Sequence, residues 1–338
     1  MPVHNALPHL DDAVRSILNQ SYHDFEFVIL DDGSTDGSSQ RLREWAAKDE
    51  RIKLVKSPAN LGPAGSSNRV VAESSGQIIA RMDADDVSHP DRLRLQLDVL
   101  NKYHHIGLVG ALTEIINEKS EQVRGAEIWR LTRSSCLPPF AHGSIMYRRE
   151  IFEQIGGYRQ ACQFWEDQDL VLRFSDASGI AIVPAVLYRH RNSPTSTRVA
   201  SERPRVEAAV DLMYRCLDRI KDGRPYDDLL NAPVEPGRSL DPRVFVSLGS
   251  LVLWSGRRPR LLRGLFARGR LRTDLRSITA VCWAAWAATE PSSLRLFLKT
   301  VAVVRSANRR SRMSRADPII WHPAPIIGRA RAPRSPSA

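Results

Sequence analysis

The sequence predicts an α/β fold in which a mostly parallel sheet has helices on both of its faces. Over residues 1–116, short apolar runs typical of strands alternate with segments whose apolar residues recur at helical spacing, and this alternation is typical of parallel sheets. Acidic clusters directly follow two of the predicted strands, at residues 31–32 and 83–86. Because ligands bind beyond the carboxyl ends of the strands in such sheets, both clusters are candidate site residues.

The regular alternation begins with an amphipathic helix, because Leu10, Val14 and Ile17 recur at helical spacing. Later helices are predicted by N-cap residues after the second strand, by a Gly/Pro loop, and by a proline suited to the first helical turn. The predicted elements are a helix over 8–19, a strand over 24–30, a helix through 41–47, a strand over 52–55, a helix that follows the loop 60–66 and ends near Gly76, a strand over 77–82, a helix from Pro90 to about Tyr103, and a strand over 106–116.

The second half of the chain is less regular. We predict a strand over 144–147, a turn at 155–158, a helix over 166–175 that begins with acidic residues, and one or two strands over 179–188. Residues 203–235 read as helical and then as a loop. Together these elements predict one domain over 1–235, which is large enough to be a catalytic domain. Its first strand is expected to be truncated, because the chain starts directly at a loop-like Pro-x-x-Asn segment.

The charge of the chain is unevenly distributed. The formal net charge is +11 over 338 residues, yet residues 239–338 alone have a net charge of +15. A hydrophobic content of 42% argues against a disordered body. The four cysteines are widely spaced, so neither a zinc site nor a disulfide framework is predicted, and buried free thiols are expected.

The basic part of the chain is predicted to differ from the domain before it. Residues 236–314 mix apolar runs with Arg and predict a basic amphipathic helical region, while residues 315–338 are rich in Pro, Arg and Ser and predict disorder. No apolar stretch reaches the roughly 20 residues that span a bilayer. Trp beside Arg suits a membrane interface, so we expect a cytoplasmic protein that can bind the inner face of the membrane. A small helical subdomain with a basic surface is an equal alternative.

Asp83 and Asp85 are the first candidate site residues. In an extended segment residues two apart point the same way, so the two carboxylates can share Mg²⁺ or Mn²⁺, with substrate phosphates completing the coordination shell. Taken alone, an acidic turn before the helix that begins near Pro90 explains this pattern at least as well.

Two further acidic pairs are open to similar alternatives. Asp31 and Asp32 can accept hydrogen bonds from a nucleotide base or ribose, or can cap the following helix. Glu166 and Asp167 start a predicted helix, where an anionic carboxylate is stabilised and can act as a general base. Simple helix capping is the better explanation of that pair on its own.

The order and spacing of these clusters resembles the family 2 glycosyltransferases of the GT-A fold, as found in bacterial envelope and exopolysaccharide synthesis. The resemblance covers about residues 1–200. It depends on Pro2-Val3-His4-Asn5, Asp31-Asp32-Gly33-Ser34-Thr35-Asp36-Gly37, Asn60-Leu61-Gly62, Asn68-Arg69, Arg81-Met82-Asp83-Ala84-Asp85-Asp86 and Glu166-Asp167. The segments His142-Gly143-Ser144, Gly156-Gly157-Tyr158 and Tyr188-Arg189-His190-Arg191 are similar to the acceptor side of that family.

The resemblance implies a role for each of these positions. Asp167 is expected to be the catalytic base and Glu166 its supporting neighbour. Arg189 and Arg191 are expected to meet the diphosphate or an anionic acceptor, or to form a solvated basic strand end. The residues expected to bind the nucleotide sugar are Pro2, Val3, Asn5, Asp31, Asp32, Asn68, Arg69, Asp83, Ala84, Asp85, Arg189 and Arg191, with Asp83 and Asp85 also expected to bind Mg²⁺ or Mn²⁺.

The implied function is an inverting transfer of a sugar from a nucleotide diphosphate sugar, with UDP as the favoured nucleotide, to a hydroxyl of a glycan or lipid-linked acceptor. One departure is Ser67, which stands where many members have Arg before the Asn of the donor helix. The alternatives are an inactive nucleotide-sugar-binding relative, a nucleic-acid binder acting through the basic region, and a dinucleotide-dependent oxidoreductase. The sequence lacks a nucleic-acid-binding motif and a GxGxxG after the first strand, so no nucleic-acid partner is expected.

Overall fold

The structure is a computed structural model that describes residues 1–127, 140–162, 165–192, 211–213, 215–216, 219, 224–231 and 317–321. The predicted basic region 236–314 lies outside the described residues, as does most of the predicted disordered tail. Among the described residues, no helix combines the length and apolar character needed to cross a membrane.

The amino-terminal half is a three-stranded parallel sheet in the order β1-β2-β3 with helices between its strands. Its elements are β1 (Pro2–Val3), α1 (Leu7–Leu18), β2 (Phe27–Asp32), α2 (Ser38–Ala46), β3 (Ile52–Ser57) and α3 (Gly62–Glu73). The buried face of α1 is formed by Leu10, Ala13, Val14 and Ile17, as its apolar spacing predicts. They pack in one core cluster with Phe27 and other residues of the sheet, which places the end of β2 beside the start of α1.

The second sheet is mixed, in the order β10-β9-β6-β8-β4, with β5 paired to β9 and β7 paired to β6. Its strands are β4 (Ile78–Ala80), β5 (Val87–Ser88), β6 (Ile106–Ile116), β7 (Gln122–Glu127), β8 (Met146–Arg148), β9 (Gly179–Arg191) and β10 (Ile319–Trp321). The remaining helices are α4 (Arg92–Lys102), α5 (Arg149–Gln154), α6 (Glu166–Ala177) and α7 (Asp227–Leu230). β6 and β9 are parallel, whereas the other pairs are antiparallel.

The predicted fold class is confirmed, and the parallel part of the prediction applies to the first sheet and to the β6–β9 pair. The second sheet is mixed because β4, β5, β7, β8 and β10 all pair antiparallel. Of these, β7 follows β6 after a short turn, which suits antiparallel but not parallel neighbours. The helix α6 is held against this sheet because Leu170, Val171 and Phe174 pack with Ile180 and other buried residues of the second sheet.

One strand lies where the sequence predicts disorder. Residues 319–321 form β10, which pairs antiparallel with β9 through Ile319 opposite Ile182 and Trp321 opposite Ile180. The prediction of disorder over 315–338 is therefore wrong for these three residues. Their apolar side chains can extend the edge of a sheet, although the surrounding composition favours no regular structure.

Candidate active site

Asp83 lies just beyond β4 and is held by three neighbours. Its carboxylate forms an ion pair with Arg81 at 2.5 Å, and its backbone N–H donates to the Tyr188 hydroxyl at 3.2 Å. Gly143 is so close that a Cβ atom there would lie 2.6 Å from Asp83 Oδ2. Burial disfavours the ionised carboxylate, but the charges of Arg81 and His142 outweigh it and lower the pKa of Asp83. Asp83 is therefore an anion in a fixed position.

The next two acidic residues differ in their electrostatic state. Burial, together with the charges of Asp86 and Asp83, raises the pKa of Asp85 to about 7. Asp86 is fully buried and accepts hydrogen bonds from the His190 ring at 3.1 Å and from the Arg191 backbone N–H at 2.7 Å. Asp86 is thus paired by the protein, whereas Asp85 is ionised readily only when positive charge is added nearby.

The donor set at this strand end fits a hard divalent cation. The described residues contain no group of three or more His, Cys, Asp or Glu side chains that could enclose a metal ion. Mg²⁺ and Mn²⁺ need no such cage, because one or two carboxylates suffice when substrate phosphates and water supply the other ligands. Asp83 and Asp85 carry carboxylate oxygens of this kind, and burial together with the charges of Asp86 and Asp83 raises the pKa of Asp85, so a cation nearby would favour its ionised form.

The two arginines of β9 are engaged within the protein. Arg191 is 1% exposed, and its guanidinium donates to the backbone oxygens of Asp85 at 2.6 Å, Asn117 at 2.8 Å and Glu118 at 3.1 Å. This burial differs from the predicted contact with a diphosphate or an acceptor, because protein oxygens already surround the group. Arg189 is less buried and pairs with Glu114 at 2.6 Å.

Tyr158 connects the Asp83 segment to the acidic helix. Its backbone is fixed by Asn68, whose side-chain NH₂ donates to the Tyr158 carbonyl at 2.8 Å and whose side-chain oxygen accepts from the Tyr158 N–H at 2.9 Å. The Tyr158 hydroxyl lies 2.8 Å from His142 Nε2. Burial and the charges of Glu166, Asp83 and Asp167 raise its pKa. These three carboxylates therefore lie close enough to this hydroxyl group for their charges to affect it.

Glu166 and Asp167 begin α6, as predicted, and both are almost completely buried. Asp167 Oδ1 accepts the N–H of Gln168 at 2.8 Å. The amino terminus of a helix stabilises an anion, so this carboxylate is suited to accept a proton from a neighbouring hydroxyl group. Asp83, Glu166 and Asp167 come from segments that are far apart in the sequence, and the charges of all three affect the Tyr158 hydroxyl.

The predicted nucleotide-binding residues form a second, adjacent loop system. Pro2 and Val3 form β1, and Asn5 has a positive φ of 52°. The Asn5 side-chain oxygen accepts from the Thr35 N–H at 2.8 Å, and the His4 ring nitrogen Nδ1 lies 2.9 Å from the Asp32 carbonyl oxygen. The loop after β1 is therefore joined to the loop after β2, and together they form one polar edge of the first sheet.

The acidic residues of that edge are largely occupied by the protein. Asp31 accepts from the Ser34 N–H at 3.0 Å, and Asp32 accepts from the Leu61 N–H at 2.9 Å and from the Ser66 hydroxyl at 2.6 Å. Asp32 thus ties the end of β2 to the start of α3, which fixes this edge of the sheet. Asp31 and Asp32 are each only 3% exposed, so their hydrogen bonding to a base or ribose stays a prediction.

The donor helix α3 differs most from the expectation. Asn68 uses both ends of its amide on Tyr158, and the exposed Arg69 pairs with Glu73 at 2.7 Å. Contact of these two residues with a diphosphate stays a prediction. Sequence reasoning missed Arg92, which is fully buried and donates to the carbonyls of Arg81 and Gly143 at 3.0 and 3.2 Å. Its only signal in the sequence is an Arg on the apolar side of a helix.

Comparison with known proteins identifies glycosyltransferases as the relatives of this chain. The model of the family described as Glycosyl transferase family 2 matches residues 1–157. EpsE of Bacillus subtilis, a protein named as a glycosyltransferase, is 34% identical to this chain over 230 residues. The match covers 65% of this chain and 81% of EpsE. The O-antigen biosynthesis glycosyltransferase WbnJ of Escherichia coli is 31% identical over 179 residues, or 51% of this chain and 69% of that protein.

Other relatives match over a smaller part of their length. The chain covers 41% of an uncharacterized glycosyltransferase of Haemophilus influenzae, with 36% identity over 132 residues, which are 38% of this chain.

Among solved structures, a mannosyltransferase from Pyrobaculum calidifontis in complex with GDP-Man and Mn²⁺ has a TM-score of 0.53 and 17% identity, covering 91% of this chain and 84% of that one. S. aureus TarS 1–349 in complex with UDP-GlcNAc has a TM-score of 0.52 and 16% identity, covering 80% and 75%. Both likenesses show a shared GT-A fold.

Proposed function

The chain belongs to glycosyl transferase family 2, and we propose that it moves a sugar from a nucleotide diphosphate sugar to an acceptor hydroxyl with inversion at the anomeric carbon. The observation that supports this reaction most directly is that the charges of Asp83, Glu166 and Asp167 all affect the buried Tyr158 hydroxyl, which lies 2.8 Å from His142 Nε2. A cation-binding carboxylate for the leaving diphosphate and a separate carboxylate for the incoming alcohol are the two groups that the reaction requires.

Asp167 is the general base in this proposal. The acceptor hydroxyl loses its proton to the Asp167 carboxylate while its oxygen attacks the anomeric carbon from the face opposite the diphosphate. The bond from that carbon to the diphosphate oxygen breaks in the same step, through a transition state with oxocarbenium character of the kind met in glycoside hydrolysis. Glu166 precedes the base in the first turn of α6 and is its supporting neighbour in this proposal.

On the side of the leaving group, Asp83 and Asp85 would hold Mg²⁺ or Mn²⁺. The cation would neutralise charge on the departing diphosphate. Arg81 fixes the Asp83 carboxylate at 2.5 Å, and Arg191 fixes the backbone at Asp85. The protein therefore sets the direction of both ligands before the donor binds.

The nucleotide is bound at the edge formed by the loops after β1 and β2. Pro2, Val3 and Asn5 supply one wall, and Asp31 and Asp32 supply hydrogen-bond acceptors for the base and ribose. We propose UDP as the nucleotide. In support, TarS, which shares the fold, was solved with UDP-GlcNAc, although the Pyrobaculum enzyme was solved with GDP-Man. A thermal-shift series with UDP-, GDP- and dTDP-sugars, with and without Mn²⁺, separates these donors.

The acceptor is proposed to be a glycan or lipid-linked glycan of the cell envelope, since the name of WbnJ places it in O-antigen biosynthesis. Residues 239–338 have a net charge of +15 and contain Trp beside Arg, which suits an anionic membrane surface. Flotation of the full chain with vesicles of phosphatidylglycerol tests this. Failure to float with anionic vesicles at low salt would remove membrane binding from the proposal, but would leave the transfer reaction intact.

The base assignment is tested by Asp167→Asn, with Asp98→Asn on the exposed part of α4 as the matched control. The amide cannot accept the proton, so kcat is expected to fall about 10²- to 10⁴-fold, while donor affinity measured by calorimetry changes less than threefold. Equal loss of donor binding and of transfer would contradict the role of Asp167. If the unaltered chain binds donor yet transfers sugar to no acceptor, it is an inactive relative.

A further inference from the structure

A buried polar network joins α6, the helix of Asp167, to Tyr226 and Asp227. Asp169, two residues after Asp167, is fully buried. One of its oxygens accepts from Arg173 Nε at 2.9 Å, and Arg173 Nη2 reaches the same oxygen at 2.5 Å. Its other oxygen accepts the hydroxyl of Tyr226 at 2.9 Å. The first turn of α6 is thus bonded to a tyrosine that lies 57 residues further along the chain.

Arg159 supports the same contact from the other side. Its guanidinium lies 5.6 Å from the centre of the Tyr226 ring and 2.8 Å from an oxygen of Asp227, the first residue of α7. It is also 3.7 Å from Asp169. Two arginines therefore balance the charge of Asp169, and the Tyr226 hydroxyl is its neutral donor. Burial and the neighbouring Asp169 raise the pKa of Tyr226, so this hydroxyl keeps its proton and donates.

An apolar cluster around this network covers the outer side of α6. Cys162, Trp165, Leu172, Met213 and Cys216 are buried together, with Tyr226, Leu229 and Leu230 packed at their edge. The opposite side of α6 packs on the second sheet. The acidic helix is therefore enclosed between the sheet and a cap that includes Met213, Cys216, Tyr226, Leu229 and Leu230.

We propose that Tyr226 is a positioning residue for the transfer reaction, which acts through Asp169 on the first turn of α6 and so fixes the direction of the Asp167 carboxylate. This inference rests on the proposed role of Asp167 as the base. The two carboxylates are on the same helical turn, so a rotation of Asp169 moves the peptide units that hold Asp167. A displacement of about 1 Å at a reacting group can cost about 100-fold in rate.

The cap lies beyond residues 1–157, which the family model matches. Tyr226 is not among the residues to which the family motifs assign a role, so its positioning role is additional to those roles. A chain that lacks this contact retains every predicted donor-binding residue. The expected defect of the contact's loss is thus a fall in kcat rather than a loss of donor affinity.

The test is Tyr226→Phe in the full chain, with Tyr22→Phe, which packs beside α4, as the matched control. We expect kcat per donor-binding site, counted by calorimetry with UDP-sugar, to fall about 5- to 30-fold while the KM for donor changes less than twofold. The pH dependence of kcat should also shift, because the Asp167 carboxylate changes its surroundings. The control variant should behave as the unaltered chain.

A purely structural role gives a different result. If Tyr226→Phe lowers the melting temperature but leaves kcat per binding site and its pH profile unchanged, the positioning role is wrong. Asp167→Asn tests the base assignment separately, so failure of that assignment can be distinguished from failure of the positioning role. If Asp167→Asn stays active and Tyr226→Phe still lowers kcat, the base is wrongly assigned and the inference falls with it.

Discussion

Substitution of Gly143 by Ala is the sharpest test of the close packing around Asp83. The added Cβ atom would lie 1.8 Å from the Tyr188 hydroxyl oxygen and 2.6 Å from Asp83 Oδ2. To restore ordinary contact at about 3.4 Å, Tyr188 must move by roughly 1.6 Å and Asp83 by roughly 0.8 Å. Tyr188 is fully buried and lies beneath the Arg92 guanidinium, so it cannot move without disturbing its neighbours. Overpacking of this kind costs about 1–3 kcal/mol.

The effect on activity should exceed the effect on stability. A shift of Asp83 by nearly 1 Å misplaces a proposed ligand of the diphosphate cation, and we expect kcat/KM to fall about 100-fold. Urea denaturation measures the stability, and sugar transfer at varied Mn²⁺ and donor concentrations measures the activity. Gly76→Ala is the control, because the nearest atom to its added Cβ is 3.4 Å away. Gly143→Ala with unaltered stability and unaltered kcat/KM would refute the described packing.

Two further predictions concern stability and the Tyr158 contact. The bidentate hydrogen bonds from Arg41 lower the pKa of Asp11 to about 2 from 3.8. This pair therefore stabilises the fold above pH 4, and its contribution decreases as the pH falls towards 2. Because both side chains are about one-third exposed, Asp11→Asn should cost only about 1 kcal/mol in urea denaturation at pH 7 and about half of that at pH 3; an equal cost at both pH values would contradict the ion pair. Tyr158→Phe should cost about 1–2 kcal/mol in stability and lower kcat several-fold, because it removes the bond to His142 beside Asp83; unaltered kinetics would show that this bond does not support the site.

The elements that sequence patterns predicted best are those with a long apolar run or a clear amphipathic face. The strand over Ile106–Ile116 has the predicted bounds, and α1 is displaced by one residue from 8–19. Short strands such as β5 and β7 were not predicted. The two residues of β5 are too few to have a periodicity of their own, and the six residues of β7 contain a Gly and no apolar run. They form strands because β9 or β6 lies alongside. Such pairing depends on distant parts of the chain.

The candidate site was predicted as a set of positions rather than as a set of contacts. Asp83 and Asp167 are separated by a large part of the chain, and only the packing of α6 on the second sheet brings them near one hydroxyl. The sequence contains no local signal for that contact. Nor does it indicate the partners of Arg92 or Tyr226, because a buried polar side chain is recognised by the tertiary groups that satisfy it.

The motif residues divide into two groups that share one sequence pattern. A polar residue at a strand end can face a ligand, or it can satisfy backbone groups that the loop would otherwise leave unpaired. Asn68 and Arg191 make contacts of the second kind. Asn68 bonds to the backbone of Tyr158, and Arg191 bonds to the backbone oxygens of Asp85, Asn117 and Glu118. Such contacts support the reaction, because a carboxylate that holds a cation or accepts a proton must be kept in its productive position by a fixed backbone. Loss of Arg191 should therefore affect transfer through Asp85, although Arg191 itself is closed to any substrate.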